Sequence, residues 1–138
     1  EEPKVTLPKV APTKLVITDI TEGTGAGAAV GDLIAVHYVG VLSSDGTRFD
    51  GNFGSSPFSL TLGKGQVIKG WDEGIALLKK GGKARLFIPS HIAYGAQSPS
   101  PAIPANSVLI FDVEVVNIEL FEHKQVLSKG AFMLLSRE

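Results

Sequence analysis

Apolar and polar positions alternate along most of the first 120 residues with the two-residue period of β-strands, and take up the helical period once. Residues 33–42 carry Ile34, Val36, Tyr38 and Leu42 on one face and Leu33, Ala35, His37, Val39 and Val41 on the other. Both faces are largely apolar, so this segment is expected at the centre of a sheet. Asp45-Gly46 is a turn signal, after which Arg48-Phe49-Asp50 resumes extended structure. Shorter strands are predicted over 14–20, 58–62 and 84–88, the last stopped by Pro89, with a glycine-rich turn over 22–31 and a loop over 51–57. The longest strand is predicted over 107–120. There Leu109, Phe111, Val113 and Val115 share a face, and then Val116, Ile118 and Leu120 are the apolar positions. A one-residue slip of phase inside a strand predicts a bulge or a strong bend.

Ile68, Trp71, Ile75 and Leu78 stand at i, i+3, i+7 and i+10, one face of a helix over about residues 68–78. Lys79-Lys80 would suit the C-terminal end of its dipole, and Gly81-Gly82 would supply a left-handed cap. Residues 91–106 form a long loop rich in Pro, Ser and Ala, and loops of that length inside a domain are usually functional or disordered. Pro3, Pro8 and Pro12 make residues 1–13 an extended arm, with an edge strand expected over Val5 and Leu7. It contains a Leu7-Pro8 dipeptide. Residues 121–138 are a tail whose Phe132-Met133-Leu134-Leu135 cluster is expected to pack on the domain, with contact to a partner as the alternative. Several strands and one short helix, without a βαβ repeat, indicate an α+β fold with an antiparallel sheet packed on the helix.

A chain of 138 residues favours one domain, large enough for a core that needs no disulfide or metal. The absence of cysteine excludes disulfides, thiol nucleophiles and zinc-thiolate sites. A net charge of −1, with both signs scattered, gives no electrostatic footprint for nucleic acid or an anionic membrane. No apolar run is long enough for a bilayer-spanning helix. The chain starts at Glu1-Glu2 with no signal peptide in view, as a mature exported form or a trimmed chain would, which leaves the compartment open. Gly23-Thr24-Gly25-Ala26-Gly27-Ala28 lacks the following helix that a dinucleotide site needs, and Gly63-Lys64-Gly65 lacks the remaining positions of a phosphate loop. His37, His91 and His123 have no paired metal-ligand spacing, and His37 is expected to be structural.

Aromatic residues make up 7% of the chain, so their placement carries information. Tyr38, Phe49, Phe58, Trp71, Tyr94 and Phe111 fall on predicted strands, at the helix start and in the long loop. Taken alone, such residues make a core as readily as a site. The blocks around them are more specific. Val36-His37-Tyr38-Val39-Gly40, Gly46-Thr47-Arg48-Phe49-Asp50, Pro57-Phe58, Leu62-Gly63-Lys64-Gly65-Gln66-Val67-Ile68-Lys69-Gly70-Trp71, Ala93-Tyr94-Gly95, Ile103-Pro104 and Leu109-Ile110-Phe111-Asp112-Val113-Glu114 together resemble the FKBP family of peptidyl-prolyl cis/trans isomerases. They occur in family order across about residues 14–120.

That resemblance implies a curved antiparallel β-sheet wrapped around one short α-helix, with a ligand entering between the helix start and the sheet. It implies catalytic roles for Tyr38, Asp50, Trp71, Tyr94 and Phe111, and substrate or inhibitor contacts at Phe49, Phe58, Val67, Ile68 and Ile103. Trp71 would be the floor of the pocket. The Ile68 N–H and the Tyr94 hydroxyl would each bind a ligand carbonyl. Implied partners are proline-containing peptides and protein clients, and tacrolimus or rapamycin through the pipecolinyl ring. No cofactor, metal, nucleic acid or membrane span is expected, and the chain is expected to be a monomer. The domain would cover 14–120, flanked by the arm at 1–13 and the tail at 121–138. The alternative is a non-catalytic FKBP-like module that binds proteins or acts as a chaperone. Asp50 has two readings: it orients the Tyr38 hydroxyl, or loop donors simply satisfy it.

The sequence also departs from the pattern it resembles. The loop between Asp50 and Phe58 is one residue shorter than in small single-domain members and carries Phe53 where an arginine is common. Gln66 stands for a frequent glutamate, and Pro99-Ser100-Pro101-Ala102 replaces a histidine and a bulkier aliphatic residue. Loops 51–57 and 98–102 are therefore expected to set substrate and drug preference.

Overall fold

The strand with two apolar faces is the one around which the sheet is built. In the computed structural model, which describes residues 2–8 and 12–120, the elements run β1 (Val16–Thr21), β2 (Thr24–Gly27), β3 (Leu33–Leu42), β4 (Arg48–Gly51), β5 (Phe58–Thr61), α1 (Lys69–Ile75), β6 (Lys79–Lys80), β7 (Lys83–Ile88) and β8 (Leu109–Glu119). Among the described residues the main sheet has the order β1-β7-β8-β3-β4, all antiparallel, and β5 also pairs with β3. β3 serves two partners along one edge: its first residues pair with β5, and Val39, Gly40 and Val41 pair with β4. Ile34 and Val36 are 0% exposed, as a central strand requires.

The phase slip predicted in β8 is a bulge. Ala35 faces Asn117 and Val36 faces Val115, which leaves Val116 as the extra residue. An extra residue on one strand increases local twist, and the sheet curves around α1. Two glycines bring the helix close to the sheet. A Cβ on Gly70 would lie 2.5 Å from Ile88 Cγ2, and one on Gly74 would lie 3.0 Å from the Leu86 methyls. Trp71 and Ile75 are buried from the helix side, and Leu60, Leu62, Leu86, Ile88 and Leu109 complete the same core from the sheet side and the β5–α1 connection.

The helix is shorter than its apolar spacing predicted. It ends at Ile75 with a right-handed Ala76 cap. Leu78 is still buried, but its carbonyl accepts the Ala28 N–H at 3.0 Å, which draws the chain into β pairing. Lys79-Lys80 therefore pairs as β6 with β2 instead of ending the helix, and β2 lies within the segment expected to be only a turn. Gly81, at φ 83°, turns β6 into β7 and does not cap α1.

The expected edge strand over Val5 and Leu7 does not form. Residues 2–8 cross the outer face of the sheet without joining it. Glu2 pairs with Arg48 at 3.0 Å, the Lys4 carbonyl accepts from Arg85 Nη2 at 3.0 Å, and Leu7 packs at the Gly46 turn. Leu7-Pro8 thus lies away from the aromatic face of its own chain. The tail 121–138, with its Phe132–Leu135 cluster, lies outside the described residues. Among the described residues no helix is long and apolar enough to cross a membrane.

Candidate active site

Tyr38 points from β3 to the helix side of the sheet, and β4 brings two consecutive residues to join it. Neighbours in a strand normally face opposite ways. Here Arg48 pairs with Val41 and Asp50 with Gly40, so Phe49 is the inserted residue of a bulge, and both Phe49 and Asp50 reach the same cavity. Gly40 leaves the space they need: a Cβ there would stand 2.7 Å from both the Phe49 and the Phe111 rings.

The rings meet edge to face, the geometry their quadrupoles favour. Trp71, 4% exposed, lies 5.0 Å from Tyr38 at 82° and 5.2 Å from Phe111 at 85°. Phe49 closes on Phe111 at 5.5 Å, and Phe58 stands 6.3 Å from Trp71. The indole Nε1–H is buried with no acceptor among the described residues.

The polar groups are few and most are already engaged. The Tyr38 hydroxyl donates to Asp50 Oδ2 at 2.8 Å, and the Gly51 N–H donates to Oδ1 at 2.8 Å. Asp50 thus accepts one hydrogen bond from Tyr38 and one from its own loop, so the contacts of both readings are present. Burial, followed by the hydrogen bond and charge of Asp50, pushes the Tyr38 phenol up to about 12. Burial first, and then Asp50, also raises Tyr94. Both phenols are donors at neutral pH, and the Tyr94 hydroxyl has no acceptor among the described residues. Ile68 precedes α1 in an extended conformation, φ −60° and ψ 152°. Its carbonyl accepts the Trp71 N–H at 2.9 Å, while its own N–H has no acceptor among the described residues.

Two loops fix the rim. Asp72 takes the Gly63 N–H at 2.8 Å and the Gly65 N–H at 3.2 Å, holding the turn that leads into Val67 and Ile68. Gln66 Oε1 accepts the Thr61 N–H at 2.8 Å. In the long loop the Ser98 hydroxyl lies 2.7 Å from the carbonyls of Ser100 and Ile103. Asn106, at φ 60°, donates its N–H to the Gly95 carbonyl at 2.7 Å and closes the loop.

These elements enclose a cavity of about 320 Å3, and every residue expected in the pocket lines it: Tyr38, Phe49, Asp50, Phe58, Val67, Ile68, Trp71, Tyr94, Ile103 and Phe111. Gln66, Pro99 and Ser100 line it as well. All three were marked in the sequence as departures from the pattern it resembles, Gln66 in place of a frequent glutamate and Pro99 and Ser100 within the altered loop 98–102. Of the two altered loops, only 98–102 reaches the cavity. Phe53 turns to the outer face and stacks on His37 at 5.7 Å, and His37 Nε2 lies 3.0 Å from the Ser55 carbonyl. Among the described residues no group of three or more His, Asp or Glu side chains could hold a metal ion.

Known proteins resemble this chain in sequence and fold. The family model described as FKBP-type peptidyl-prolyl cis-trans isomerase matches residues 25–116. An FK506-binding protein of Neisseria meningitidis serogroup A is 48% identical over 105 residues, covering 75% of this chain and 95% of that protein. FK506-binding protein 4 of Rhizopus delemar is 44% identical over 108 residues, and that of Neurospora crassa 50% over 103, covering 78% and 75% of this chain. The matched region spans only 28% and 22% of those two fungal proteins. The crystal structure of FkpA from Escherichia coli superposes with a TM-score of 0.69 at 39% identity, covering 86% of this chain and 53% of that one. The matched segment runs from β2 into β8 and includes every residue of the cavity wall, so the chain belongs to the FKBP-type peptidyl-prolyl cis-trans isomerase family.

Proposed function

We propose that this chain catalyses cis/trans isomerisation of X-Pro bonds in proline-containing peptides and protein clients. The observation that carries this reading is an aromatic cavity whose one carboxylate among the described residues, Asp50, is already bonded to Tyr38 and Gly51. A site of this kind has no free acid, base or nucleophile to offer, but proline isomerisation needs none. Resonance holds the amide planar with a barrier of roughly 18–20 kcal/mol. The planar form is the more charge-separated one, and water stabilises its carbonyl oxygen. A ring seated over Trp71 loses that water, which favours the twisted and less polar transition state. Desolvating an amide costs roughly 2–7 kcal/mol, and each 1.4 kcal/mol or so removed from a barrier is about tenfold in rate. The Ile68 N–H and Tyr94 hydroxyl, unpaired among the described residues, can hold the peptide carbonyls on either side while the bond turns.

The same donors and rings suit the pipecolinyl ring of tacrolimus or rapamycin. Trp71 is the one tryptophan of the chain, so its fluorescence reports on this site alone, and saturable quenching by tacrolimus is expected. The activity is tested with a Leu-Pro peptide, whose isomer exchange should accelerate in proportion to protein concentration. An unchanged spontaneous rate, together with intact tacrolimus binding, would leave a non-catalytic binding module in its place.

A further inference from the structure

Outside the cavity, the outer face of the sheet is covered more thoroughly than a solvated face requires. Val39, Val41 and Ile110 are 1%, 6% and 0% exposed, yet they lie on the side away from α1 and outside the core it shares. Cross-strand pairing places them in rows: Arg85 beside Asp112 beside Val39, and Phe87 beside Ile110 beside Val41, with Arg48 next to Val41. Residues 2–8 lie over these rows. Asp112, 2% exposed, receives Arg85 Nε at 2.6 Å and Nη2 at 2.8 Å, and the same Nη2 donates to the Lys4 carbonyl. Glu2 presents both carboxylate oxygens to Arg48 Nε, at 3.0 and 3.2 Å. Pro3 shares a small cavity with Phe53, on the far side of Asp50 in sequence. The segment therefore touches or flanks the Asp50 loop on both sides.

A route leads from there to the pocket. The Arg48 guanidinium lies across Gly51, so closely that a Cβ on Gly51 would stand 2.5 Å from Nη2. The Gly51 N–H holds Asp50 Oδ1, and Asp50 Oδ2 holds the Tyr38 hydroxyl. We propose that residues 2–8 form a strap across the outer face of the sheet, and that Glu2, acting through Arg48 and Gly51, is a positioning residue for Asp50. The strap lies outside the segment that matches the family, which begins at residue 25. Its effect on rate rests on the isomerase reading, whereas its effect on Tyr38 does not.

The test compares the full chain with Glu2→Gln and with a chain lacking residues 1–8. Three readouts are taken: melting temperature, kcat and KM on a Leu-Pro peptide, and the NMR resonance of the Tyr38 ζ-carbon. Glu2→Gln should lower kcat, by no more than about the fivefold that an exposed ion pair can supply. KM should change less, and the Tyr38 resonance should move toward its position in Asp50→Asn. Removing the strap should cost roughly tenfold, because small misplacements of positioned groups are expensive in rate. A fall in melting temperature with kcat and the Tyr38 resonance unmoved in both variants overturns the proposal. A change on deletion that Glu2→Gln does not share overturns the role of Glu2. If the intact chain leaves the spontaneous rate unchanged, the isomerase reading fails, and the Tyr38 resonance still decides the strap.

Discussion

Tyr38 joins several parts of the site in one side chain: a ring against Trp71, a hydroxyl on Asp50, and a backbone held by Asn52, whose Oδ1 accepts the Tyr38 N–H at 2.7 Å. Its phenol ionises near 10 when unfolded and at about 12 in the native protein. Between those values the native state keeps a proton that the unfolded state has lost, so stability falls as pH rises. The contribution is whole below pH 10 and is lost as pH passes through about 12. Tyr38→Phe lacks this titration. In urea unfolding, the stability advantage of the wild type over Tyr38→Phe should shrink between about pH 9 and about pH 11.5. A constant difference would contradict the assignment. At this scale the sequence was most legible where residues are large: the pocket aromatics stand out because rings at alternate strand positions must face something. Gln66, Pro99 and Ser100 were legible only as departures from the family pattern, since their places depend on hydrogen bonds made by Gln66 itself and by Ser98 within loops that carry no periodicity.

α1 shows an element shaped by what it leans on. Replacing a helix glycine with alanine ordinarily gains about 1 kcal/mol. At Gly70 the new methyl would meet Ile88 Cγ2 at 2.5 Å, and overpacking of a core costs about 1–3 kcal/mol. Gly70→Ala is therefore expected to be net destabilising in urea titration, and less so in an Ile88→Ala background, where the opposing side chain is gone. An equal effect in both backgrounds would show that the close approach is not the cause. β3 and β8 could be read in advance because ten or more alternating positions establish a phase, and the slip at Val116 shows against it. β4 has four residues, too few to reveal that Phe49 is an insertion. The helix end was misread because Leu78 keeps the apolar spacing after its backbone has left the helix to bond with Ala28.

Across the whole molecule, the Arg85–Asp112 pair ties the sheet to the residues that cross it. Removing one partner of a buried ion pair costs about 3–5 kcal/mol because the other is left uncompensated. Arg85→Ala should lose stability on that scale, measured by thermal or urea unfolding. It should also expose residues 2–8 to faster limited proteolysis, because Lys4 loses its donor. Unchanged cleavage of that segment would mean that Arg85 does not hold it. The central pairing carries a different consequence. Leu33 lies against Glu119 and Leu42 against Leu109, so β3 finds its main partner only in the last strand described. Pairings this distant in sequence slow folding into the range of about milliseconds to seconds. A nascent chain still lacking β8 has Tyr38, Asp50 and Trp71 but no Phe111 wall to hold them together. The aromatic cavity is therefore complete only once β8 has paired with β3, and an amino-terminal fragment ending before Leu109 lacks its Phe111 wall.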